Sequence, residues 1–172
     1  MKRMMMVAVL VVAMAGAAWA GEAKFGYIDM QQALNTSVAG KTAKEQLQAK
    51  LKKYQEQING KQEELQRLKS DLEKQGTALS ESARVAKEKD YQQKLKDFQR
   101  FTKDAEDDLR SRDADFTKKI VEAMDKVVQE YGKKHGYTII FDARSAGMLY
   151  ADKKVDLTDE VLKDFNTSNT TK

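Results

Sequence analysis

The sequence predicts an α+β fold in which a long antiparallel helical hairpin, a coiled-coil arm, stands on a small β-sheet body that associates with copies of itself. Three observations carry this. Leu51, Ile58, Leu65, Leu72 and Leu79 fall seven apart, and Leu47, Tyr54 and Leu68 fill the companion positions, which is the a/d seam of a coiled coil. The chain holds no Pro, so nothing in it forces a long helix to stop. Segments rich in β-branched and aromatic residues flank this helical stretch at 24–29 and 137–152.

Taken in order, Lys2 and Arg3 precede an apolar run over 4–14, and Ala18-Trp19-Ala20 follows as a small-residue cleavage site. Residues 1–20 therefore read as a secretory signal peptide, with the mature chain starting at Gly21. The run is too short to span a bilayer, and its bacterial character places the mature protein in a periplasm. Residues 24–29 read as a strand, with Phe25 and Tyr27 on one face and Gly26 and Ile28 on the other. The body comprises 21–30 and 136–166, and the arm 31–135.

The first arm helix starts near Met30, breaks softly within 35–40 and continues to Gln75. Gly76, Thr77, Ser80 and Ser82 cluster where two nearly equal arms would turn, which places the tip within 76–84. Asn59-Gly60 is a rival turn signal, but it would leave arms of roughly 45 and 117 Å at the helical rise. Gly60 is read instead as a weak point of the first arm, a mid-helix glycine costing about 1 kcal/mol against alanine. The returning helix spans 82–131, with Tyr91, Leu95, Phe98, Ala105, Leu109 and Phe116 on the seam. Steps of four and three to Ile120, Met124, Val127 and Tyr131 resemble a stutter, and Gly132 and Gly136 bracket the end.

Residues 137–143 and 147–152 read as two strands joined by a loop holding Arg144, Ser145 and Ala146, hence a hairpin. Thr158, followed by Asp159 and Glu160, reads as the N-cap of a short helix through Val161, Leu162 and Phe165. Residues 167–172 read as a flexible tail.

The body segments are too few to form an independent core, since domains below about 40 residues lean on disulfides, metals or partners. Cysteine is absent, although the compartment permits disulfides. Phe25, Tyr27, Ile139, Phe141 and Tyr150 are therefore expected to pack against copies of themselves. Polar seam positions at Lys61, Gln75, Thr102 and Arg112 weaken two-helix packing, so the arms should be compliant.

Signals for catalysis are weak. Gly40-Lys41-Thr42 follows a strand as a phosphate loop would, but the required glycine five residues earlier is Asn35 and helical sequence intervenes. His135 is the sole histidine, and at a helix end it serves the helix dipole. Without a second histidine or any cysteine there is no transition-metal set and no nucleophile pair. Asp104, Glu106, Asp107, Asp108, Asp113 and Asp115 alternate with Arg100, Lys103, Arg110 and Arg112 as on a solvated face. No catalytic residue, cofactor or metal is expected, and the chain is not read as an enzyme.

Lys and Arg number 31 against 27 Asp and Glu, a net charge of +4, and a balance this close argues against a nucleic-acid binder. The unbalanced charge lies near the tip. Arg84, Lys87, Lys89, Lys94, Lys96, Arg100 and Lys103 face only Glu88, Asp90 and Asp97 within the same stretch. Steering of an acidic client, contact with an anionic lipid surface and plain helix solubility all fit this pattern. Phe98 and Phe101 lie in the same stretch, and Phe101 either fills the seam or faces a client.

The strand 24–30 with Tyr27-Ile28-Asp29, the heptad hairpin, Tyr137-Thr138-Ile139-Ile140-Phe141-Asp142, Leu149-Tyr150-Ala151-Asp152 and the block 156–162 together resemble the Skp (OmpH) family of periplasmic chaperones. The resemblance spans the mature chain in the same order. It implies a jellyfish-like homotrimer, with a small β body and three helical tentacles around a cavity. It also implies an ATP-independent holdase that keeps unfolded outer-membrane proteins from aggregating before membrane insertion. Lipopolysaccharide or an anionic membrane surface is a further partner class in the family, and here only the basic tip charge speaks for it. The rival expectation is a structural coiled-coil protein of the envelope that holds no client.

Overall fold

The computed structural model describes residues 23–75 and 79–169, so the signal-peptide reading and the last residues of the tail lie outside them. Strand β1 (Phe25–Ile28) is followed by α1 (Met30–Thr36), α2 (Val38–Gln75), α3 (Glu81–His135), β2 (Ile139–Asp142), a 3-10 turn at Lys153–Val155 and α4 (Thr158–Asn169). Helix α3, with 55 residues, is about 82 Å long at the helical rise, and α2, with 38, about 57 Å. The two lie against each other along the arm. Helix α1, with 7 residues, adds about 10 Å on the first side.

The first helix breaks at Ser37 for a local reason. Its backbone is extended there, and its buried side chain serves both neighbours: Oγ donates to the Leu34 carbonyl at 3.0 Å and accepts from the Gly40 N–H at 3.0 Å. One hydroxyl thus closes α1 and caps α2. Gly40 is what lets the two helices meet this closely, because a Cβ there would lie 1.8 Å from the Leu34 carbonyl oxygen. The glycine is a packing requirement of the kink, which accounts for Gly40-Lys41-Thr42 without a phosphate.

β1 pairs with β2 in parallel, Phe25 opposite Ile139 and Tyr27 opposite Phe141. On the other side of β1 the Leu157 N–H donates to the Tyr27 carbonyl at 2.8 Å, and Tyr27 bridges to Asp156. The expected hairpin of 137–143 with 147–152 does not form. Asp142 ends β2 by starting a tight turn: its carbonyl accepts from Ala146, and its carboxylate accepts from the Arg144 N–H and the Ser145 hydroxyl. That turn carries the chain off the sheet, and residues 148–152 have no strand partner among the described residues.

The core draws on more of the chain than 24–30 and 136–166. Ile28, Ala33, Ala43, Ile120, Met124, Leu157, Val161 and Phe165 form one buried cluster, backed by Met30, Leu34, Phe116, Val127, Tyr131 and Ile140. The roots of both arm helices are therefore part of the body. Helix α4 extends to Asn169, so 167–169 are helical where a flexible tail was expected. It is anchored by Asn166, whose Oδ1 accepts from the Val38 N–H at 2.9 Å. Thr158 is not the cap of α4; its buried hydroxyl accepts from the Asp29 N–H at 3.0 Å and donates to Asp156 at 2.6 Å. Asp156 does the capping, accepting from the Thr158 N–H. Helix α3 ends at Gly136 in the left-handed region, φ 70°, with Tyr137 N–H returning to the Gly132 carbonyl.

Candidate functional site

Two surfaces stand out once the protomer core is drawn: the outer face of the sheet and the distal arm. On the sheet, Gly26 and Ile28 turn inward, which leaves the other side of β1 and the matching side of β2 facing out. Phe25, Ile139 and Phe141 are exposed there at 48, 44 and 42 %, and Tyr150 in the segment beyond β2 is 85 % exposed. Tyr27 differs from these four: it is half-buried, and its hydroxyl donates to Asp156 at 3.1 Å within the protomer. Next to Tyr150, Leu149 is also exposed. The patch is apolar, contiguous across the register of the two strands, and covered by nothing among the described residues.

The basic residues near the tip do not act as one field. Arg84 is bound by Glu81 through two contacts of 3.0 and 3.1 Å. Lys94 reaches across the arm to Glu64 at 2.7 Å, and Arg100 pairs with Asp97 at 2.9 Å. The Glu64 contact holds the Lys94 ammonium above its usual range and is itself held below the usual carboxylate range. Lys87 is half-buried and Lys89 and Lys96 are exposed, the last two seven residues apart on one outer face of α3. Lys89 and Lys96 form no ion pair among the described residues. The charge open to a partner is therefore narrower than the composition of the segment implies.

Phe101 belongs to the seam: its ring meets Tyr54 edge-on at 5.9 Å, and the Lys61 ammonium lies 5.2 Å above it. The acidic run also contains one residue that sequence reasoning placed on a solvated face and the fold places between the helices. Asp108 accepts from Arg112 Nε at 2.8 Å and from the Tyr54 hydroxyl at 2.9 Å, with Lys50 Nζ at 3.7 Å. The Arg112 and Tyr54 hydrogen bonds hold its carboxyl below the ordinary range. Arg112 at i+4 was legible as a partner; Tyr54 and Lys50 were not, because their alignment with Asp108 depends on how the two arms are staggered. His135 stacks on Tyr131 at 4.2 Å in the last turn of α3. No cluster of His, Asp and Glu suited to a metal occurs among the described residues.

The family model for outer membrane protein (OmpH-like) matches residues 24–165, from the first strand through both arms into the last helix. The chain belongs to the OmpH-like family. Among solved structures, this OmpH-like chain is similar to an OmpH-like protein of Caulobacter crescentus CB15, described there as a candidate outer membrane chaperone. The TM-score is 0.79 at 14 % identity, over 89 % of each chain. At that identity the likeness establishes a common fold, a long helical hairpin on a two-stranded body. No curated protein is similar to the chain at a significant level.

Proposed function

We propose that this OmpH-like protein is an ATP-independent periplasmic holdase that binds unfolded outer-membrane proteins and keeps them from aggregating before insertion. The observation that carries the proposal is the family match, which covers arm and body together. The architecture supports it: long arms with a partly polar seam present many weak contacts, as holding a nonuniform client requires. The open face of Phe25, Ile139 and Phe141, together with the exposed Tyr150, supports assembly through the body, and the working form is a homotrimer with three arms around one space. Capture is steered by the open charge of Lys89 and Lys96, and an anionic lipid or lipopolysaccharide surface is a second use of the same charge.

The test is dilution of a urea-unfolded outer-membrane β-barrel protein into nucleotide-free buffer containing the mature chain from Gly21. Light scattering is followed together with tryptophan emission. Trp19, the sole tryptophan of the sequence, precedes Gly21, so emission reports on the client alone. Suppressed scattering with a discrete emission shift is expected; undiminished aggregation at excess protein overturns the proposal in favour of a structural spacer. Replacing Lys89 and Lys96 with Gln is expected to slow capture at low salt and flatten its salt dependence, while Arg84→Gln changes it little.

A further inference from the structure

We infer that the middle of the arm is a joint pinned shut by Asp108. This goes beyond the holdase reading and is a property of the arm alone. Three separate features meet at one level. The first is chemical: where Lys50, Tyr54 and Lys61 of α2 face Phe101, Asp108 and Arg112 of α3, ionic and hydrogen-bonding groups join the Tyr54–Phe101 ring contact in holding the helices together. Within this stretch Ala105 is the one buried apolar side chain among the described residues, while Leu65 lies buried on the distal side and Ala43, Ile120 and Met124 on the body side, so the polar contacts are flanked by apolar packing in both directions.

The second feature lies in the helices themselves. Gly60 sits in the interior of α2, and a Cβ there would meet nothing within 4 Å, so the fold does not require a glycine and its effect is to soften the helix. In α3, Thr102 bonds back to the Phe98 carbonyl at 3.0 Å, a contact that bends helices. The third is register. The inward side of α2 runs Ala43, Leu47, Lys50, Tyr54, Ile58, and the two consecutive steps of four rotate Leu51 out of the seam, where it is 53 % exposed.

Asp108 is the acceptor shared by all three donors at this level, Lys50, Tyr54 and Arg112. Without it, two cations face each other and the Tyr54 hydroxyl loses its partner, so the closed joint is lost while the flanking apolar contacts remain. The distal arm can then swing with the body undisturbed.

Amide hydrogen exchange on the full mature protein, read by mass spectrometry, tests this without a client, so its outcome is independent of the holdase proposal. Asp108→Ala is expected to speed exchange about tenfold in peptides covering 50–61 and 101–112 while body peptides covering 25–28, 120–131 and 158–165 stay within about twofold. Tyr54→Phe, which keeps the ring contact with Phe101, should give a smaller rise in the same peptides and carries the test if Asp108→Ala does not fold. Glu64→Gln removes the cross-arm ion pair with Lys94 and is expected to change exchange by less than about twofold. Gly60→Ala should slow exchange in 50–61. An unchanged profile in Asp108→Ala, a rise spread evenly along the arm, or an equal effect from Glu64→Gln overturns the joint.

Discussion

Ser37 and Gly40 set the kink between α1 and α2, Ser37 through its hydroxyl and Gly40 through the Cβ it lacks. A methyl group at Gly40 has to displace the Leu34 carbonyl, which is backbone and cannot turn aside, so Gly40→Ala is expected to destabilise by about 1–3 kcal/mol, read by thermal or urea unfolding. Asp29 is a second point of leverage. Its carboxylate caps α1 by accepting from the Gln32 N–H at 2.8 Å and is gripped by Arg144 at 3.1 to 3.3 Å. These contacts hold its carboxyl below the ordinary 3.8, the Gln32 N–H contributing most. Since the folded form holds the proton less tightly than the unfolded chain, this contribution to stability is present above 3.8 and disappears as pH falls below it. Asp29→Asn should therefore lower the thermal midpoint at neutral pH and show a shallower loss on acidification than the unaltered chain. An acid profile that keeps its slope in Asp29→Asn would place the effect elsewhere.

Among the elements, the arm shows how far a residue pattern can be read. The heptads identified two long helices and the seam residues Leu47, Tyr54, Leu65 and Phe116, because a coiled coil demands apolar side chains at that spacing. They misassigned Leu51. A lysine stem can lie along a seam with its charge at the edge, so Lys50 competes for the same place, and only the stagger of the two helices decides between them. The consequence is measurable: Leu51→Gln is expected to change stability by no more than about 0.5 kcal/mol, and Leu65→Ala to cost about 2–4 kcal/mol. Unfolding of the two variants side by side checks this. The second strand of the expected hairpin failed for a comparable reason. Residues 147–152 have strand composition, yet composition does not say which edge is within reach, and the Asp142 turn removes them from the nearest one. The basic segment was legible as charge but not as ion pairs, since Lys94 finds Glu64 only once the arms are aligned.

Across the whole molecule, the apolar outer face of the sheet and the exposed Leu149-Tyr150 pair are the features a lone chain leaves open. Under the proposed assembly, Ile139→Asp with Phe141→Asp is expected to reduce the mass seen by sedimentation to that of one chain while the helical signal of the arm persists. Retention of the assembled mass would move the interface to the arms. The parallel pairing of β1 with β2 carries a further consequence for how the chain is made. Lys24 and Thr138, which bond at the edge of that pair, stand 114 positions apart in sequence. The arms can zip from their tip, each turn closing a loop only slightly longer than the last, but the sheet waits for the final stretch of chain. A polypeptide synthesised from its amino end can raise its arm before it can close its base. A nascent or prematurely ended chain lacking 139–142 thus yields an arm without a foot, and any assembly built on the sheet admits only finished molecules.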